Sequence, residues 1–157
     1  MAHNVVARNP GEGDAYWVLG GLYEVKVSSD ETGGAVTVMQ FTVPEGMGPP
    51  PHVHDGDETV TVVDGRARFH IDGDTVELGP GSVVHFPAGT QETFEPLGQV
   101  RLVITYAPGG IDKFFAEAGE PASSRQVPPP PTSPPDFEHL AAVAQRHGLH
   151  LLPPSGP

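Results

Sequence analysis

The sequence predicts an all-β domain, a sandwich or barrel of antiparallel hairpins, with short helices confined to its C-terminal end. Two observations carry this. Short runs rich in Val, Thr, Phe and Tyr recur along the first 107 residues, and the gaps between them are filled with Gly, Pro, Ser and Asp. With 20 Gly and 19 Pro in 157 residues, turn chemistry is too dense for long helices, while the length suits one domain with one hydrophobic core.

Taken in order, residues 16–27 (YWVLGGLYEVKV) and 35–43 (AVTVMQFTV) read as strands separated by the turn-rich SSDETGG. After the Gly/Pro segment PEGMGPPP come HVH and ETVTVV, and then Asp64-Gly65, a strong hairpin signal. RARFHI alternates, placing Ala67, Phe69 and Ile71 on one face and Arg66, Arg68 and His70 on the other. A tight turn at Asp72-Gly73 leads to TVEL, SVVHFP, QETFE and QVRLVITY. From Gly110 the texture changes. IDKFFAEAG reads as a short helix packing Phe114 and Phe115, VPPPPTSPP as extended chain, and DFEHLAAVAQRHG as a helix with Asp136 as N-cap and Gly148 as C-cap. Its apolar face comprises Phe137, Leu140, Ala141 and Ala144. The chain divides into a barrel with N-terminal strands over residues 1–118 and an appended linker and helix over residues 119–157.

The net charge of −12 disfavours nucleic acid and anionic membrane surfaces, leaving a small-molecule partner. No cysteine is present, so disulfides, thiolate metal sites and cysteine nucleophiles are excluded, and His, Asp and Glu must do any metal chemistry. The N-terminus lacks the pattern of a secretory signal, and no apolar run approaches a membrane span of about 20 residues. The expected location is the cytoplasm.

The chemistry concentrates in PPPHVHDGDETVTVVDG, residues 49–65. A period of two puts His52 and His54 on one face of a strand, and Glu58 adds an oxygen donor nearby. Two neutral imidazoles and a carboxylate suit Fe(II), and nearly as well Mn, Ni, Co or Zn.

The fuller spacing is Gly46, five residues, His52-Val53-His54, three residues, Glu58, six residues, Gly65. This resembles the first signature of the cupin superfamily at every fixed position. GSVVHFPAGTQETFEP, with Gly81 and Pro87-Ala88-Gly89, resembles the second, except that Glu92 stands where the family usually carries a histidine. The similarity spans about residues 33–107, and the C-terminal features are similar to those of small bacterial cupins described as quercetin-dioxygenase-like. It implies a cupin barrel (a double-stranded β-helix, or jelly roll) with one divalent metal ion per chain (Fe, Mn, Ni or Zn) inside its mouth. His52, His54, Glu58 and Glu92 would hold that ion. Glu58 shares a face with Val60 and Val62, so its carboxylate would enter an apolar lumen, where a cation is the simplest partner. Glu92 has three readings: a fourth ligand, a general base beside the ion, or a solvent-facing side chain in a degenerate site. Glu58 and Glu92 are therefore also the candidate catalytic residues.

The other histidines carry less. His85 is expected in the core or on the surface, His70 among solvated arginines, and His139, His147 and His150 on the surface. Gln91 should point away from Glu92, and Met39 and Phe41 are expected in the core. The lumen wall reads as mostly small or aliphatic, which implies an apolar or aromatic substrate. The function implied is a metal-dependent small-molecule enzyme, an oxygenase acting on an aromatic or enolic substrate. The alternatives are a non-redox cyclase, isomerase or dehydratase using the same Lewis acid, and a non-catalytic metal- or ligand-binding protein. Sheet edges and apolar surface on YWVLGG and the C-terminal helix imply a homodimer.

Overall fold

The computed structural model describes residues 4–153. Strands β1 (Ala15–Val18) and β2 (Gly21–Val27) form a hairpin where the sequence reads as one strand. Leu19 and Gly20 both take left-handed φ angles of 50° and 84°, which reverse the chain in two residues. Then follow β3 (Thr37–Val43), β4 (His52–His54), β5 (Asp57–Ile71), β6 (Asp74–Leu78), β7 (Val83–Phe86) and β8 (Gln91–Ala107). Helix α1 (Ile111–Ala118), β9 (Glu120–Pro121), helix α2 (Phe137–Gln145) and β10 (Leu149–Leu151) complete the chain.

The predicted hairpin at Asp64-Gly65 is instead a bend inside β5. Strands β5 and β8 pair antiparallel along nearly their whole length, with register shifts on either side of Asp64. Gly65 has φ 75°, and a Cβ there would lie 2.2 Å from the Gln99 carbonyl oxygen, so only glycine fits between the bent strands. QETFE and QVRLVITY are likewise one strand, β8.

This bend builds the jelly roll. The second half of β5 and the first half of β8 join β6, β4 and β10 in one layer. The first half of β5 and the second half of β8 join β7, β3, β2, β1 and β9 in the other. Inward residues of both layers make the core: Met39, Val43, Val60, Val62, Ala67, Phe69, Val100, Leu102 and Ile104 are at most 2% exposed. Arg68 points outward to Glu77 and Glu95, as the alternation requires.

Helix α1 packs by Phe114 and Phe115, and Phe115 stacks on Tyr23 with centroids 4.7 Å apart. Buried Asp112 pins the helix to the barrel by accepting hydrogen bonds from the Ser29 and Thr37 hydroxyls. Asp136 caps α2 by accepting from the His139 N–H at 3.1 Å. Of the expected apolar face of α2, Leu140 and Ala144 are buried together with Val143, while Phe137 and Ala141 are partly exposed. The helix stops at Gln145, and left-handed Gly148 belongs to the turn beyond it. That turn delivers β10, which pairs antiparallel with β4, Leu149 opposite His54 and Leu151 opposite His52. The sequence reading had no strand here. Among the described residues no helix is long and apolar enough to cross a membrane.

Candidate metal centre

Four side chains converge between the two layers. His52 and His54 lie on β4, Glu92 faces His52 across the β4–β8 pairing, and Glu58 comes from β5 in the opposite layer. One donor atom from each of the four lies within 4.8 Å of every other. The two imidazoles stand at 90° with centroids 5.1 Å apart, so their nitrogens approach one point from two directions.

The hydrogen bonds decide which nitrogens are free. His52 Nδ1 lies 2.8 Å from the Pro50 carbonyl oxygen, which can only accept, so Nδ1 carries the proton. In the neutral ring Nε2 then presents a lone pair to Glu92 Oε1 at 3.3 Å. His54 Nε2 approaches Glu58 Oε2 at 3.2 Å, but that oxygen is enclosed and accepts no hydrogen bond. Lone pairs facing one another in a closed space are repulsive unless a cation lies between them.

The electrostatics agree. Burial, followed by the neighbouring His52 and His150, holds the His54 imidazolium down to about 3, so the ring is neutral and free to donate at neutral pH. Burial, and then the adjacent Glu92 carboxylate, push Glu58 well above the usual carboxylate range. Two buried carboxylates this close need a proton or a cation to share. Two imidazole nitrogens and two carboxylate oxygens form a set whose charge balances a divalent ion, so the residues fit the metal the sequence implies.

Beside the cluster lies a cavity walled by Tyr23, Phe41, Phe94, Tyr106, Phe114 and Phe115, with Leu140, Leu149 and Leu151 on the C-terminal side. Val18, Leu19 and Ile111 also line it, so the expected aliphatic wall is present and aromatic rings are added to it. The expectation came from the segments around the histidines, whereas the rings come from β2, β3, β8 and α1. Met39 and Phe41 are both buried in the core as expected, and Phe41 also lines the cavity. Tyr106 was missed, although the alternation Val100, Leu102, Ile104, Tyr106 puts it on the inward face. Leu149 and Leu151 were missed with β10, whose three residues are too few for a periodicity.

The remaining candidates lie outside. His85 points away from the lumen, 2.9 Å from the Thr59 hydroxyl, while Phe86 is buried. His70 pairs with Glu95, His147 with Glu117 and His150 with Asp55, all near the surface. His139 and Gln91 are exposed.

The chain resembles known proteins in the same region. A cupin domain family model matches residues 39–106, which include all four cluster residues. Quercetin 2,3-dioxygenase of Bacillus subtilis is 27% identical over 120 residues, covering 75% of this chain. The matched region spans only 36% of that relative's own length. Among solved structures, ectoine synthase from P. lautus superposes with a TM-score of 0.61 at 14% identity, over 83% of this chain and 96% of that one. An RmlC-like cupin from Shewanella frigidimarina superposes with a TM-score of 0.60 at 16% identity, over 71% and 99%. At such identities the two structures speak for the fold alone, and the fold they share with this chain is the jelly roll traced by β5 and β8. Residues 39–106 of the chain match the cupin domain, and the surrounding chain has the cupin jelly-roll fold.

Proposed function

We propose that the chain is a metal-dependent small-molecule enzyme, an oxygenase acting on an aromatic or enolic substrate. His52, His54, Glu58 and Glu92 would hold one divalent ion, Fe, Mn, Ni or Zn. The observation that carries this reading is the convergence of one donor atom each from His52, His54, Glu58 and Glu92 to within 4.8 Å of one another between the layers of the barrel. A bound ion supplies Lewis acidity and, where redox-active, single-electron chemistry. The residues do the rest. His52, with its tautomer set by Pro50, and His54, neutral through burial, present nitrogen donors without competing protons. The aromatic wall excludes water and stacks a planar substrate beside the cluster. A carboxylate of the pair accepts the substrate's proton, Glu92 if it stands free of the ion and Glu58 otherwise. The resemblance to a dioxygenase supports oxygen chemistry.

One feature favours a second reading. A donor set with two carboxylates is hard and charge-balanced, which suits a non-redox Lewis acid catalysing cyclisation, isomerisation or dehydration. Metal analysis of protein prepared without chelator, followed by oxygen uptake with flavonols and polyphenols, tests the proposal. A stoichiometric redox metal with oxygen consumption supports the oxygenase; Zn with no uptake favours the Lewis acid; no metal overturns both. We further propose a homodimer, because β6 and β7 each pair only with β5, and Val63 and Val83 are exposed. Sedimentation as a monomer at micromolar concentration would contradict it.

A further inference from the structure

We propose that the Tyr106 hydroxyl is the hydrogen-bond donor that positions a ligand oxygen against the His/Glu cluster. This rests on the metal reading above and adds a residue to it. Tyr106 is the register partner of Glu58 on adjacent strands, so both side chains enter the chamber side by side. Its ring lies 5.2 Å from that of His54 and fixes the phenol next to the donor atoms. The side chain is 5% exposed and lines the cavity, yet among the described residues its hydroxyl makes no protein hydrogen bond.

Such a group is unusual in a chamber this apolar. A buried tyrosine hydroxyl ordinarily finds a partner, and leaving one unpaired is costly. Here the hydroxyl keeps access to the cavity, so a ligand oxygen held there can supply the partner. The other polar groups facing it near the cluster are imidazole nitrogens that present lone pairs and carboxylates that accept, so Tyr106 is the donor there. No Lys or Arg lines the cavity. A substrate carrying a separate carboxylate or phosphate would find no counter-charge, whereas a phenolate or enolate oxygen would meet the cluster on one side and the Tyr106 O–H on the other. Tyr23 offers an internal comparison. Its hydroxyl also lacks a protein partner among the described residues and its ring lines the same cavity, but it lies over Gly21 on β2, away from the strands that carry the cluster.

The test uses the full chain loaded with Zn(II), which is redox-silent, and 4-nitrocatechol, whose absorption reports its ionisation and binding. Tyr106→Phe deletes one oxygen and should keep one Zn(II) per chain and the wild-type unfolding temperature. Its affinity for 4-nitrocatechol should fall about tenfold, the scale of one lost hydrogen bond to a charged oxygen. Nitrobenzene, which lacks the phenolic oxygen, should bind wild type and Tyr106→Phe alike. Wild-type affinity for 4-nitrocatechol in Tyr106→Phe, or an equal loss for nitrobenzene, overturns the role of Tyr106 while leaving the metal reading intact. Loss of Zn(II) in Tyr106→Phe overturns it too, by assigning the residue to the cluster's integrity. Failure of the Zn(II)-loaded wild type to bind 4-nitrocatechol more tightly than the stripped chain overturns both.

Discussion

The protein contains two populations of histidine–carboxylate contacts, similar in distance and opposite in meaning. On the surface, His147 lies 2.6 Å from Glu117, His150 2.8 Å from Asp55 and His70 3.2 Å from Glu95. Inside the barrel, His52 lies 3.3 Å from Glu92 and His54 3.2 Å from Glu58. The surface contacts lie in reach of solvent, so they are ordinary screened pairs of small worth. Inside, His52 donates its Nδ1–H to the Pro50 carbonyl, and burial keeps His54 neutral. The interior cluster thus gathers two imidazoles and two carboxylates in little space, and its crowded acceptors call for a shared proton or a cation. Burial, rather than contact distance, separates a cluster that could hold a cation from a common surface pair.

The comparison breaks most completely at the histidines. A His52→Ala, His54→Ala double variant should lose its metal altogether, read by elemental analysis of the purified chain, whereas a His147→Ala, His150→Ala double variant should retain one ion. Full occupancy in the first variant would show that the buried contacts are no different in kind from the surface ones.

A smaller effect is expected at Glu92. Glu92→Gln removes a charge and should weaken metal affinity by at least about tenfold if the residue is a ligand, while Glu92→His restores two imidazole-type donors at that end and keeps the ion. If Glu92 is a base instead, Glu92→Gln keeps the metal and loses turnover, because an amide cannot accept the proton. Metal titrations and activity assays on both variants separate the roles. Wild-type affinity and wild-type activity in Glu92→Gln would defeat both.

A third prediction concerns pH. In the folded, metal-free chain His54 stays unprotonated to about 3, whereas in the unfolded chain it titrates near its ordinary value of 6.5. The unfolded state therefore binds more protons between those values, and stability is lost as pH falls from about 6.5 towards 3. Thermal unfolding of stripped wild type against stripped His54→Gln should show the acid-side loss attached to His54 disappearing in the variant. Parallel pH profiles would mean that His54 is not held neutral by its surroundings.

The smallest effect belongs to the surface. His147 and Arg146 hold the Glu117 carboxyl below the usual range, so its contribution is present above the ordinary carboxylate pKa and fades as pH falls through the lowered one. Glu117→Gln should change stability little, and 0.5 M salt should erase even that difference. A large, salt-insensitive loss would give this exposed pair the character assigned to the buried ones.

Much of this was legible in the sequence because strand alternation is a local rule. It placed His52 with His54, Glu58 with Val60 and Val62, and Ala67 with Phe69, and the structure puts each of these where the period of two requires. The N-cap at Asp136 is equally local. What was not legible depended on how distant segments meet. Asp64-Gly65 carries the composition of a hairpin, and only the approach of the Gln99 carbonyl makes it a bend. The aromatic wall draws its rings from four separate elements, and β10 exists because β4 leaves an edge to be paired. Leu19 heading a two-residue turn contradicts its own preference, and the pairing of β1 with β2 outweighs it.

The central claim is that a cation belongs between the buried imidazoles and carboxylates, and calorimetric titration of Zn(II) or Mn(II) into the chelator-stripped full chain tests it most directly. The account predicts one ion per chain, bound with a rise in unfolding temperature, and neither effect in the His52→Ala, His54→Ala double variant. A stripped wild-type chain that takes up no ion, or that binds one without any gain in stability, would contradict it.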